Sequence, residues 1–260
     1  MSIAPTPRTA PGTRAKRVNL ADRVYAQLKS ELFDFHLMPG DRISETDIAA
    51  RVRASRTPVR EALFRLQRDG YVDVLDKGGW RVKPLDFNAF DELYDVRITL
   101  ECAAVRRLCT RDETPPILAE LAGVWQIDPA ERETDSTTLW QLDERFHAEI
   151  VAAVGNREMA RIHRDVTERI RIVRRLDFVK PARVDATYDE HAAILRRLAE
   201  RDAEPAQQLL EAHIKASRDA VRQITLHGLY EARDAMRAGG PLRIDTTAHP
   251  SPLEKTGKPR

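Results

Sequence analysis

Four side chains in the second half of the chain are of the types that bind a divalent cation. Asp143 and His147 stand four residues apart in WQLDERFHAEIVAAVGN, and Ile150, Val151 and Val154 continue the same helical line. A carboxylate and an imidazole therefore share a stripe with core residues. His191 falls in line with Tyr188, Leu195 and Leu198, and His213 with Ala206, Leu210, Ala216 and Ala220, at steps of three or four. One aspartate and three histidines thus face inward from three helices. A buried carboxylate is costly unless it is paired, and a cation is one way to pair it. Neutral imidazoles with a carboxylate suit Zn²⁺, and accommodate Ni²⁺ or Mn²⁺. Hydrogen bonds between Asp143 and the histidines around a water-filled cavity would satisfy the same four groups. His36, His227 and His249 fall at helix ends or in a tail, and His163 flanks a stripe.

A second set of residues lies in the first third, where residues 53–74 read RASRTPVREALFRLQRDGYVDV. Val59, Ala62, Leu63 and Leu66 form one apolar stripe, Ser55 suits an N-cap and Gly70 a helix stop. Arg56 and Arg60 lie together off that stripe. Ser55 and Thr57 can bond phosphate oxygens, and a helix N-terminus favours an anion. Arg56 and Arg60 can reach guanine edges or clamp phosphates. Further on, Lys77, Gly78 and Gly79 make a hairpin tip that lets backbone approach DNA closely. The plain alternative is a capped amphipathic helix with ordinary surface arginines.

The elements around these residues favour the DNA reading. The pattern predicts a helix over 20–36, a turn at Met38-Pro39-Gly40-Asp41, and a short helix from Glu45 capped by Ser44. The basic helix follows, then a β-hairpin formed by Tyr71–Leu75 and Trp80–Val82. This is the outline of a winged helix-turn-helix over 19–83. Residues 84–88 read as a linker. Helices are expected near 88–109, 115–126, 135–154, 157–178, 184–201 and 204–228. The expected fold is mainly α, a winged helix-turn-helix followed by an all-α six-helix bundle over 89–230, with disordered tails at 1–18 and 239–260.

Bulk properties agree with such a protein. The chain has 260 residues, 42% hydrophobic and 32% charged, enough for two cores. No apolar run approaches the length of a membrane span, and the N-terminus lacks the apolar region of a secretory signal. Cys102 and Cys109, seven apart on one helix, read as core thiols of a reduced cytoplasmic protein. Residues 1–88 hold 16 Lys and Arg against 11 Asp and Glu, the remainder 27 against 30. An anionic partner is thus expected for the first third only.

The segment PGDRISETDIAARVRASRTPVREALFRLQRDGYV resembles the DNA-binding domain of the GntR family of bacterial transcription regulators. The resemblance implies operator contacts from Ser55, Arg56, Thr57 and Arg60, with the wing glycines in the minor groove. Some relatives carry arginine at the start of the second helix, where this chain has Thr46, so no base contact is expected there. WQLDERFHAEIVAAVGN, DEHAAILRRL and EAHIKAS resemble the FCD effector-sensing domain of the FadR-like branch, and six helices point to its VanR-type subgroup. Metal-binding members use an Asp and three His in this order, which implies ligands at Asp143, His147, His191 and His213. VRITLE resembles the family's first bundle helix. There Arg97 is a candidate to hold an effector carboxylate, the alternative being a salt bridge to an acid such as Glu101. Thr187 would add a hydrogen bond.

The expectation is a homodimeric regulator, most simply a repressor and not an enzyme, that binds a palindromic DNA operator. A small carboxylate effector at the metal would change the spacing of the two DNA domains. Two other readings stay open: a metal-dependent enzyme with a DNA-binding appendage, and a regulator whose metal is purely structural.

Overall fold

The computed structural model describes residues 19–174 and 181–223. The expected tails, the last residues of the helices expected over 157–178 and 204–228, and His227 and His249 lie outside the described residues. The chain divides into two compact units. One is drawn from Met1–Ser30 and Arg42–Arg81, the other from Glu31–Asp41 and Val82–Arg260. Residues 31–41 thus cluster with the second unit, so the division falls inside the first helix as well as near residue 82.

In the first unit, α1 (Leu20–Phe33) buries Ala21, Val24 and Leu28. Ser44 caps α2 (Glu45–Arg51) by accepting from the Asp47 backbone N–H at 3.4 Å. Arg53 turns the chain at φ 52°, a left-handed value, and α3 (Arg56–Arg68) follows. The stripe expected on α3 is buried, with Val59, Ala62, Leu63 and Leu66 all at 0% exposure. The hairpin is β2 (Val72–Val74) and β3 (Trp80–Val82). A third strand joins it: β1 (Arg42–Ile43) runs antiparallel to β3 with Ile43 opposite Trp80, giving the order β1-β3-β2. Two residues are too few for alternation to reveal a strand in advance.

At the wing tip Gly78 and Gly79 have φ of 83° and 89°. The Leu75 and Gly78 backbone N–H groups donate to Gly79 and Leu75 carbonyls at 3.0 and 2.9 Å. The turn itself therefore requires glycine at both places. Access for DNA is a second reason rather than the first.

The second unit is helical. It comprises α4 (Phe87–Cys109), α5 (Ile117–Trp125), α6 (Ser136–Ala153), α7 (Arg157–Arg174), α8 (Pro181–Ala199) and α9 (Ala203–Arg222). Asp86 accepts from the Ala89 N–H at 3.1 Å and starts α4 within the stretch expected as linker. A 3₁₀ turn at Pro129–Glu131, capped by Asp128, was not indicated by periodicity because it is a single turn. Helix α4 packs on α9, α6 and α7, while α8 lies against α9 and α5. Trp125, Phe146, Leu139, Ile150, Tyr188 and Leu210 are buried among them. Each such side chain contributes roughly 1.5–3 kcal/mol of burial. The buried line of α9 runs Ala206, Leu210, His213, Ile214, Ser217 and Val221. Ala216 is exposed and Ala220 half-buried, because an alanine carries too little apolar surface to mark a face. Among the described residues, no helix is long and apolar enough to cross a membrane.

Candidate metal centre and nucleic-acid interface

Helix α6 presents Asp143 and His147 one turn apart, α8 presents His191, and α9 presents His213. All four are buried, and their donor atoms lie within 4.8 Å of one another. His213 Nε2 is 3.1 Å from His147 Nε2 and 3.2 Å from His191 Nε2. Asp143 Oδ1 is 3.5, 3.4 and 3.9 Å from the Nε2 atoms of His147, His191 and His213. A tetrahedron with bonds of 2.0–2.1 Å to a central ion has edges of about 3.4 Å. Five of the six donor separations, at 3.1–3.9 Å, lie near that edge length.

The outer ring nitrogens show how the lone pairs are aimed. His147 Nδ1 is 2.5 Å from Glu101 Oε2, and His213 Nδ1 is 2.5 Å from Glu190 Oε2. A carboxylate at Nδ1 holds the proton there and turns the Nε2 lone pair to the centre, the usual support of a metal-ligating histidine. This tautomer is inferred from the partners. Arg183 also approaches His213 Nδ1, at 3.3 Å, but the shorter contact to Glu190 decides its role. Two lone pairs 3.1 Å apart repel unless a proton or a metal cation lies between them.

Electrostatics favour the same protonation states. Burial, then repulsion from His213, holds His191 well below the ordinary imidazole value; burial, then His147, does so for His213. Both are therefore neutral near pH 7, as ligands must be. His191 stacks on Phe146 at 3.7 Å and meets Trp125 edge-on at 4.2 Å, which fixes its ring in apolar surroundings. Burial raises the Asp143 carboxyl, but Arg174 and His147 more than offset it and hold it well below the carboxylate range. Arg174 pairs with Asp143 Oδ2, leaving Oδ1 to the histidines.

Arg97 and Glu101 form the buried i,i+4 salt bridge raised as an alternative, at 2.6 Å and 0% exposure on both sides. That bridge uses only Nε of Arg97. Both terminal nitrogens of Arg97 are buried with no hydrogen-bond partner among the described residues. His163, ambiguous in the sequence, is buried and contacts Glu101 Oε1 at 2.9 Å. Thr187 is buried, and its hydroxyl donates to the Arg183 carbonyl at 2.9 Å. In this arrangement it offers an incoming carboxylate no proton. Arg174, Arg183 and Glu190 were not singled out from the sequence. Glu190 precedes His191 directly, and no periodicity separates an acid that orients a histidine from one that faces solvent.

In the first unit, Ser55 occupies the N-cap position of α3 and makes no side-chain capping bond. Arg56, Thr57 and Arg60 are exposed, as are Lys77, Gly78 and Gly79 at the wing tip, and Thr46. Arg60 grips Glu45 side-on, through Nε at 3.0 and 3.1 Å and Nη2 at 2.8 Å. Arg56 touches the same carboxylate once, at 3.3 Å. Trp80 Nε1 donates to it from the wing, also at 3.3 Å. These bonds, Arg60's foremost, lower the Glu45 carboxyl to about 2. The three elements enclose an open groove of about 650 Å³.

Residues 20–82 match the family described as bacterial regulatory proteins, gntR family, and residues 92–216 match the FCD domain. The chain belongs to the GntR family. It is a transcriptional regulator of the GntR type with an FCD domain. This GntR chain is 33% identical to the Nta operon transcriptional regulator of Aminobacter aminovorans, over 73% of its own length and 89% of that protein. It is 29% identical to the HTH-type regulator YdhC of Bacillus subtilis, over 78% and 92%. Among solved structures, a GntR regulator from Rhodococcus sp. RHA1 matches with a TM-score of 0.60 at 26% identity, covering 79% of this chain and 98% of that one. McbR/YncC of E. coli shares the fold, with a TM-score of 0.62 at 23% identity over 79% and 98%.

Proposed function

We propose that this GntR regulator is a homodimeric repressor whose affinity for a palindromic operator is set by a small organic acid bound at a divalent metal, Zn²⁺ first, with Ni²⁺ or Mn²⁺ as alternatives. The DNA contacts would come from Ser55, Arg56, Thr57, Arg60 and the wing tip Lys77-Gly78-Gly79. Asp143, His147, His191 and His213 would hold the metal, which when bound supplies a Lewis-acidic position for a ligand oxygen.

The observation that carries the reading is the convergence of two carboxylate-oriented Nε2 lone pairs at 3.1 Å. Glu101 and Glu190 orient the rings, and Arg174 restrains Asp143 so that a single oxygen faces the centre. The charges around the site support an anionic effector. Arg97, Arg174 and Arg183 are matched by Glu101, Asp143 and Glu190. A divalent ion adds positive charge to that balance, and Arg97 has two terminal nitrogens to offer an acid.

A dimer places two α3 helices on successive half-sites, the two-fold logic of helix-turn-helix regulators. The acid must bind one arrangement of the DNA domains more tightly than the other if it is to release the operator. A thermal-shift screen of small carboxylates, on metal-loaded and chelator-treated protein, tests this. At least one acid is expected to raise the melting temperature of the loaded protein and weaken its DNA binding. Equal shifts with and without metal would end the metal-centred reading. Turnover of the stabilising acid would instead favour the enzyme alternative.

A further inference from the structure

Glu45 is the carboxylate that the recognition face holds, and its geometry divides the labour of the two arginines. A guanidinium has two bidentate edges, one formed by Nε and one terminal nitrogen, the other by the two terminal nitrogens. Glu45 occupies the first edge of Arg60, in three contacts of 2.8–3.1 Å. The second edge points away from that carboxylate. Arg56, 62% exposed, makes a single longer contact to Glu45 and has no edge fixed. Glu45 is itself held, since Trp80 Nε1 donates to its Oε1 from β3 and its own backbone opens α2. Phe64, one turn beyond Arg60, rests edge-on against Trp80 at 5.0 Å and closes the circuit between α3 and the wing. Side-chain exposure of Glu45 is only 13%, against 53% for Arg60.

We propose that Glu45 is a positioning residue that holds Arg60 end-on for a guanine in each operator half-site, leaving Arg56 to the phosphates. The proposal rests on α3 being the DNA-contacting helix. An arginine held along one edge presents its other edge as a rigid pair of donors, the pattern that guanine O6 and N7 accept. The same carboxylate penalises DNA with no guanine there. Such a site meets an arginine already neutralised and a fixed negative charge beside its backbone. Glu45 therefore contributes discrimination at the expense of general affinity. It remains ionised throughout the working pH range, so this discrimination does not titrate.

The test uses the full-length protein and duplexes that it enriches from a random-sequence library, with an unselected random duplex as the non-specific competitor. Glu45→Gln and Glu45→Ala are compared with Arg60→Ala, after melting curves establish that each variant is folded. Both Glu45 variants are expected to lose about tenfold in the ratio of selected to random binding. The loss should fall on the same G·C pair that Arg60→Ala no longer reads. Replacing that guanine by 7-deazaguanine should cost the wild type affinity and the variants little. Random-duplex binding should tighten in Glu45→Gln, with a salt slope steeper by about one, since a freed arginine can take a phosphate. If Glu45→Gln tightens selected and random DNA equally, Glu45 is only a repelling charge and the proposal is overturned. If Arg60→Ala loses the ratio while both Glu45 variants keep it, the proposal fails and the α3 reading stands. If Arg60→Ala keeps the ratio, the α3 reading fails and takes the proposal with it.

Discussion

Arg60–Glu45 and Arg97–Glu101 are the same chemical pair in opposite surroundings. In the first, the arginine side chain is 53% exposed and lies against an open groove. In the second, both side chains are at 0% exposure and the carboxylate also receives two histidines. Water screens the surface pair, and Arg60 keeps its second edge open to a further acceptor while the first stays on Glu45. Low dielectric makes the buried pair a fixture, because either partner alone would be an uncompensated charge. An arginine proposed to offer one edge to DNA while its partner holds the other belongs at the surface. A residue that holds His147, a proposed metal ligand, in place belongs in the core.

The largest effect expected from breaking this comparison is at Glu101. Glu101→Gln keeps the shape of the side chain but leaves Arg97 buried without a countercharge and leaves one acceptor oxygen where Arg97, His163 and His147 now share two. Denaturant unfolding should show a loss of about 3–5 kcal/mol. Metal affinity should fall by about 10–100-fold, as when other outer-shell partners of ligating histidines are removed. A loss under about 1 kcal/mol would mean that Arg97 finds another partner and that the pair is no fixture.

Removing the metal should come next. Ligands that bind only the native state stabilise it by mass action, about 4 kcal/mol when the free ion is a thousand times its dissociation constant. Chelation is expected to lower the melting temperature of the wild type markedly and that of His191→Ala hardly at all. Equal responses in the two proteins would place the ion elsewhere.

How much of this was legible in the sequence differs between the same two regions. The α3 stripe and the inward turn of each of the four donors could be read from helical spacing on its own helix, and the hairpin from alternation; the structure brings Asp143, His147, His191 and His213 together. Glu101, Glu190 and Arg174 could not be ranked in advance, because what makes them matter is proximity between helices far apart in the chain. His147 and Glu101 are 46 residues apart, and Arg174 and Asp143 are 31. Glu45 was read only as part of a helix start, since nothing local tells an acid that grips an arginine 15 residues on from one that merely favours the helix N-terminus. Strand β1 escaped for want of length. Gly78 and Gly79 were assigned to DNA access, whereas their positive φ already requires glycine.

Acid should sharpen the contrast at a smaller scale. His191 and His213 have native values below the unfolded value of 6.5, so as pH falls past 6.5 the unfolded chain takes up protons that the native centre refuses. Stability is therefore present above that pH and declines below it, by up to about 1.4 kcal/mol per unit for each histidine. Asp143 and Glu101, held well below the usual carboxylate range, add a further loss once the pH falls through that range. Denaturant titrations of metal-free protein at pH 7 and pH 5.5 check this. A stability that does not fall between them would contradict the neutral, buried state of the two rings.

The smallest expected effect on stability is at the exposed pair. Arg60→Ala removes a side chain that is half exposed and whose partner keeps its bond to Trp80, so the melting temperature should not move measurably. Ligand-induced stabilisation should also be unchanged, since α3 and the proposed metal centre belong to separate compact units. Operator binding, measured by fluorescence anisotropy, should nonetheless weaken by about tenfold or more, the value of one good bidentate base contact. A variant that binds the operator as the wild type does would remove α3 from the interface. One that melts several degrees lower would show that the surface pair carries structure after all, and that the two Arg–Glu pairs differ less than their exposures imply.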